Sequence, residues 1–189
     1  MNDVIYETVV TSVSTDGTPH VAPMGVRYQQ GHVILMPFKP SITHDNIVAS
    51  GFAVLNIVVD TRVFAGCVTG RRDWPVLPAE RIPGLRLKAA LGHVELRLAD
   101  RSDDVQRPRL RMARVHEVQH APFVGFNRAQ GAVLEGAVLV SRLHMLAPAK
   151  IDNEMAYLQI AIDKTAGPEE HEAWGWLNEA VARHRKEPA

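Results

Sequence analysis

Two turn signals near the start of the chain, Asp16-Gly17 and Gln30-Gly31, separate segments of strand length and restrict the opening of the fold to an antiparallel meander. Residues 4–14 are rich in β-branched side chains with partial alternation, residues 18–28 form the returning strand, and residues 32–38 a third. Farther on, residues 52–59 (Phe-Ala-Val-Leu-Asn-Ile-Val-Val) are nearly all apolar and of strand length, which predicts a central strand buried on both faces. Residues 85–99 and 108–119 add an antiparallel pair joined through residues 100–106. In the first of these Val94, Leu96 and Leu98 alternate with Glu95 and Arg97, and in the second Leu110 and Met112 alternate with Arg109 and Arg111. About six strands in short connections must protect their edges, and that favours a small antiparallel barrel over an open sheet.

The pattern turns helical after Pro122. Asn127 is placed to cap a helix whose apolar positions are Val133, Leu134, Ala137, Val138, Ser141 and Met145. Ile151, Met155, Leu158 and Ile162 mark a second helix. A third opens at Pro168-Glu169-Glu170, buries Ala173, Trp174, Leu177 and Val181, and closes on His184-Arg185-Lys186, as the helix dipole favours. The expected class is α+β, with a mainly antiparallel barrel over residues 1–125 and a helical C-terminal extension over 126–189 that packs on the barrel or on a dimer partner.

Between the third strand and the buried one lies the most chemically loaded segment, Met36-Pro37-Phe38-Lys39-Pro40-Ser41-Ile42-Thr43-His44-Asp45-Asn46-Ile47. Pro37 and Pro40 stiffen the crossing, Ser41 and Thr43 offer hydroxyls and helix caps, and Lys39 adds positive charge. A short helix is expected over residues 45–50, stopped by Gly51. Free amides at a helix start beside a lysine suit a nucleotide or flavin phosphate. The same residues would also serve any strand that runs into a capped helical turn.

Composition narrows the partners. The 21 basic and 21 acidic residues cancel, so nothing in the charge balance favours nucleic acid or an anionic membrane surface. No apolar run approaches the roughly 20 residues of a membrane span, and no secretory leader pattern opens the sequence. The single cysteine, Cys67, excludes an intramolecular disulfide and fits a reducing, cytoplasmic compartment as a buried spectator. Nine histidines raise the question of a metal site. His116 and His120, however, fall on one predicted strand, where residues four apart stand roughly 13 Å from each other, so no metal ligands are assigned. No Gly-x-Ser-x-Gly elbow is present, and Cys67 has no adjacent base. Arg107, Arg109, Arg111 and Arg114 read as a solvated basic face more readily than as a second anion site. Trp74, in a proline-rich loop over residues 71–84, is a candidate lid.

The motifs Pro19-His20-Val21-Ala22-Pro23-Met24-Gly25-Val26-Arg27, Pro37 to Asn46, and Asn127-Arg128-Ala129 resemble a family of uncharacterised FMN-binding proteins with the flavin-reductase-like split barrel, found in methanogens and methylotrophs. The resemblance runs from residue 4 to about residue 180. It implies a homodimer with FMN at or near the subunit interface. By position it would put Ala22, Pro23, Met24 and Gly25 along the isoalloxazine, and Lys39, Ser41, Thr43 and Asn46 around the ribityl phosphate. Asn127 and Arg128 would reach the same phosphate or pin the strand to the tail. A strand carrying Pro23 and Gly25 allows close approach of a flat ring, although the same residues also mark an ordinary bulge.

Two functions follow from that resemblance. One is an FMN-dependent oxidoreductase acting on a small molecule or a reduced cofactor, in which the flavin does the chemistry and no side chain is assigned a catalytic role. The other is a flavin-binding carrier, sensor or assembly module without turnover. A barrel whose site is filled by side chains and takes no flavin is the remaining alternative.

Overall fold

Both hairpin turns form where the glycines place them. Gly17 and Gly31 adopt φ of 87° and 76°, and Gln30 shares the left-handed region at 50°, the geometry that joins two twisted strands without splaying them. The computed structural model describes residues 4–186. Its elements are β1 (Tyr6–Val13), β2 (Pro19–Gln29), β3 (His32–Leu35), α1 (Ile42–Ser50), β4 (Phe52–Ile57), α2 (Arg62–Val68), β5 (Val76–Pro78), β6 (Leu85–Leu87), β7 (Gly92–Ser102), β8 (Arg109–Gln119), α3 (Arg128–Val140), α4 (Pro148–Thr165) and α5 (Pro168–His184). No helix among the described residues is long and apolar enough to cross a membrane.

The strands close into one antiparallel barrel in the order β1-β2-β3-β8-β7-β4, with β4 returning to β1. Val10, Val26, Val33, Leu35, Ala53, Leu55, Val94, Leu96, Leu110 and Met112 fill the interior, joined by Ile47 from α1. These are the residues that the period-two alternation selects, one per pleat. Asn56, the polar residue in the apolar run of β4, is fully buried. Its amide nitrogen donates to Val9 O at 3.1 Å and Thr11 Oγ1 at 2.9 Å, and its oxygen accepts the Leu87 amide at 2.8 Å. One side chain thereby ties β4, β1 and β6 together.

Several boundaries differ from those expected. The third strand ends at Leu35, because Pro37 and Pro40 cannot donate to a ladder, and residues 36–41 leave the sheet. The short helix begins at Ile42 and not at residue 45, because Ser41 already caps it. The loop over residues 71–84 contains β5, which pairs with β6 in a separate two-stranded sheet. The alternation in β7 is correct, yet Glu95 and His93 on its outer face are fully buried. The Glu95 carboxylate accepts the amides of Glu80, Arg81 and Ile82 at 2.6, 2.8 and 2.9 Å, so the loop before β6 folds over that face.

The chain forms two compact units. One gathers the chain as far as Val58 with Asp73–Phe123 and is the barrel; the other gathers Val59–Arg72 with the chain from Val124 onward and is helical. In the helical unit α2 joins α3, α4 and α5. Gly136 of α3 is what lets Trp174 close in, since a Cβ there would lie 2.8 Å from its Cζ3. The buried stripe of α3 runs through Ala129, Ala132, Val133, Gly136, Ala137 and Val140, leaving Val138 exposed and Met145 beyond the helix end. Trp174 donates to Gln159 at 2.7 Å, and Trp176, off the apolar stripe, carries the Arg71 guanidinium over its ring at 4.0 Å.

Two outcomes test this account. Asn56→Leu strands the Leu87 amide and Val9 carbonyl in an apolar setting, and urea unfolding should show a loss of about 2–4 kcal/mol. Burial works to raise the pKa of Glu95, but the amides of Glu80 and Arg81, His93 and the amide of Ile82 outweigh it and hold the carboxyl below its ordinary value of 4.5. A carboxyl with a depressed folded pKa stabilises the fold above its unfolded pKa, and that contribution is lost as pH falls from there through the folded value. Wild-type stability should therefore drop as pH is lowered below 4.5, and Glu95→Gln should flatten that part of the curve measured between neutral pH and about pH 3.

Candidate functional site

The start of α1 is a helix N-terminus capped by Ser41. Ser41 sits in extended backbone as the cap and accepts the His44 amide on its hydroxyl at 3.2 Å, while its carbonyl takes the Asp45 amide at 3.0 Å. The amides of Ile42 and Thr43 lie in the first turn, ahead of any intrahelical acceptor, and point out of the helix start. Lys39 stands exposed just before the cap, and its own amide donates to Gln106 O at 2.9 Å, linking the turn to the connection between β7 and β8. In that connection Asp104 accepts the amides of Arg107 and Gln106 at 2.7 and 2.9 Å, which hold its carboxyl below the ordinary carboxylate value. The turn so fixed lays the Arg107 guanidinium over Phe38, 4.6 Å from the ring centre.

His44 completes this end. It is 93% removed from solvent, its Nδ1 lies 2.9 Å from the Asp45 carboxylate, and its buried Nε2 has no hydrogen-bond partner. A buried ring nitrogen without a partner costs free energy unless a ligand group meets it.

The second half of the site is an edge. β1 pairs with β2 over residues 19–26, but β3 pairs with β2 only at residues 27–29. Among the described residues, the far edge of β2 along residues 19–26 has no strand partner, and Ala22, Pro23, Met24 and Gly25 all lie on it. This gap in the ladder is the split in the barrel, and α1 packs against β2 beside it. The four residues divide by pleat. Met24 packs on the interior cluster, and Ala22 shares its face. Pro23 and Gly25 face outward, and a Cβ on Gly25 would lie 2.7 Å from Ile5 Cγ2. Glycine at 25 thus makes room for the chain before β1, a packing role the sequence alone did not show.

The structure separates the remaining expected residues. Thr43 is buried, 2% exposed, so its amide and not its surface position is what the helix start offers. Asn46 is buried and donates to Ser12 Oγ at 3.1 Å, docking α1 on β1. Asn127 belongs to the helical unit, where its oxygen accepts the Ala129 amide at 2.8 Å and its nitrogen donates to Thr165 O at 3.0 Å. Arg128 follows it, exposed, in the same unit. Trp74 is half-buried, with its Nε1 buried and unpartnered.

Reasoning from sequence passed over two groups. His44 lay inside the quoted motif, and its place three residues after the cap was the available signal. Arg107 resembles the strand arginines in sequence, but Arg109 donates to Gln29, Arg111 lies 4.0 Å from Asp100 and Arg114 pairs with Glu117. Arg107 alone of the four precedes β8 and turns to Phe38. Histidines 116 and 120 go to different partners: His116 Nε2 lies 3.1 Å from Glu80 and His120 Nε2 lies 2.9 Å from His93 Nδ1.

Comparison with known proteins agrees in both units. The N-terminal domain of a protein family of unknown function, DUF447, matches residues 6–121, and the C-terminal part of the same family matches residues 127–179. An uncharacterized protein of Methanocaldococcus jannaschii is 27% identical over 146 residues, 74% of each chain. Among solved structures, an FMN-bound DUF447 protein of Methanosarcina mazei superposes with a TM-score of 0.79 at 19% identity, covering 93% of this chain and 94% of its own. The flavoredoxin of Methanosarcina acetivorans superposes at 0.53 with 12% identity over 64% of this chain and 73% of its own. The 2-nitrobenzoate 2-nitroreductase of Pseudomonas fluorescens gives 0.52 with 18% identity over 60% and 64%. The barrel is thus the split barrel of flavin-reductase-like proteins.

Removing the cap should be felt locally. Ser41→Ala leaves the His44 amide without its acceptor and should lower stability by about 1 kcal/mol in thermal or urea unfolding.

Proposed function

Because the chain belongs to the DUF447 family in both its N-terminal and its C-terminal parts, we propose that it binds FMN with the phosphate at the start of α1 and the ring along the open edge of β2. The observation that carries this reading is the juxtaposition of the two features: a capped, lysine-flanked helix start beside a strand edge that β3 does not pair along residues 22–26. An FMN-bound relative from Methanosarcina mazei supports the choice of cofactor.

The residues present fit such a group. Lys39, the Ser41 hydroxyl and the amides of Ile42 and Thr43 would receive the phosphate, with the buried His44 Nε2 as a further contact. Ala22 and Met24 would act through their backbone, since their side chains face the barrel interior, and Pro23 and Gly25 would likewise offer backbone to a flat ring, the outer side of Gly25 being taken by Ile5. Asn46 would hold α1 in place from behind, through Ser12. When bound, FMN supplies hydride or electron transfer between a reduced cofactor and a small substrate. The chain's own groups would orient the ring and exclude water.

The reading extends to assembly and compartment. We take the protein to be a homodimer, supported by the exposed Val4, Ile5, Tyr6 and Tyr28, where the two tyrosine rings meet edge to face at 5.3 Å. A cytoplasmic setting accords with the single cysteine, Cys67, which is buried.

The first test is the visible spectrum of the purified protein, with release of the chromophore by heat and its titration back. Flavin bands with about one FMN per chain are expected, and a colourless protein that takes up no added FMN would overturn the reading. Lys39→Ala should weaken FMN binding by roughly 10- to 100-fold, the size of one charge-assisted hydrogen bond, with a smaller loss for Thr43→Ala, which keeps its amide. Oxidation of NADH or NADPH faster than with free FMN supports an oxidoreductase. A rate no higher than free FMN, with affinity intact, would mark a carrier, sensor or assembly module.

A further inference from the structure

On the outer face of β7, apart from the cofactor site, a carboxylate and two imidazoles stand in line from the fully buried to the exposed. We propose that Glu95, His93 and His120 form a proton relay that presents Nδ1 of His120 as a surface general base for a small anionic proton donor. His120 would be the catalytic residue, and His93 and Glu95 its positioning residues. The inference is independent of flavin binding.

The direction of the chain follows from its buried end. Glu95 Oε1 accepts the Glu80 amide at 2.6 Å and Oε2 those of Arg81 and Ile82 at 2.8 and 2.9 Å, an arrangement that suits an ionised carboxylate. His93 Nε2 lies 3.3 Å from Oε1, and an ionised carboxylate can only accept, so the ring carries its proton on Nε2. In a neutral, fully buried His93 that leaves Nδ1 with a lone pair. Facing it at 2.9 Å is Nε2 of His120, the two ring planes within 4° of parallel. The His120 proton therefore sits on Nε2, and its Nδ1 is bare on an exposed residue just past the end of β8.

The surroundings suit a base that is free at neutral pH. Burial and then the charge of Arg86 from β6 hold His120 below the ordinary histidine value, and Glu80 works in the other direction. Glu80 is itself engaged by His116 from β8. The positive charge of Arg86 makes an anion the favoured proton donor. When such a molecule gives its proton to His120 Nδ1, the proton on Nε2 can move to His93 Nδ1. The positive charge then stands against the Glu95 carboxylate; the substrate has lost one proton and the relay has gained one.

Long-range proton–nitrogen correlation spectra of the isotope-labelled full chain at neutral pH read the tautomers directly. The relay requires Nε2–H on both His93 and His120. A His120 protonated on Nδ1, or a cationic His93, would overturn it. In Glu95→Gln the preference at His120 should give way to a mixture of tautomers; an unchanged pattern in the folded variant would remove Glu95 from the relay. His120→Gln removes the partner of His93 Nδ1 but not the bond to Glu95, so His93 should stay protonated on Nε2; a move of its proton to Nδ1 would overturn the role of Glu95. The substrate class is tested with inorganic phosphate as the anionic proton donor. A saturable shift of the His120 ring nitrogens that is lost in Arg86→Gln supports it, and a shift that never saturates or is equal in the variant overturns it.

Discussion

Closure of the sheet by β1 against β4 is the constraint on which the rest of the barrel depends. The contact is short, three register pairs from Val9↔Asn56 to Thr11↔Val54. It is reinforced by the Asn56 amide, which reaches across the seam to Val9 and Thr11 and accepts from Leu87 outside it. A buried amide with its donors and acceptors met fixes register as an apolar side chain of the same size would not, because a slip of one residue would leave several polar groups unpaired in the dark of the core. With β1 held to β4, the strand after it can be left half unpaired without the sheet opening.

That half-paired strand is where the candidate site lies. Proline residues at 37 and 40 end β3 early, so the ladder to β2 stops at three pairs, and the chain that leaves the sheet turns into α1. The interruption does two things at once: it leaves residues 22–26 of β2 unpaired by β3 and brings a helix start beside them. The site is therefore a product of strand termination, with the side chains of Lys39, Ser41 and His44 added to a vacancy that the backbone creates.

Most of the fold was legible in the sequence because its signals are local. Asp16-Gly17 and Gln30-Gly31 set the hairpins, the period-two alternation chose the interior, and Pro168 and Asn127 opened helices where capping chemistry predicts. The site was legible in part. The cap at Ser41 could be read from the turn, since a cap acts within a few residues. Long-range burial could not be read: nothing near Glu95 in the sequence says that the amides of residues 80–82 will enclose it, nor that Asn46 will turn to Ser12. The strand arginines look alike in sequence, and only tertiary placement sets Arg107 over Phe38.

The helical unit is discontinuous along the chain. Val59–Arg72, lying in sequence between two barrel segments, belongs to the helices, and Val63, Phe64, Ala65 and Cys67 of α2 are buried. A helical partner appended by simple fusion would occupy one end of a chain, and could be exchanged for another by recombination at a single boundary. Here the chain passes from one unit to the other three times, after Val58, Arg72 and Phe123. Replacing the C-terminal helices alone would therefore leave the buried face of α2 without α3 and α5, the helices it packs against.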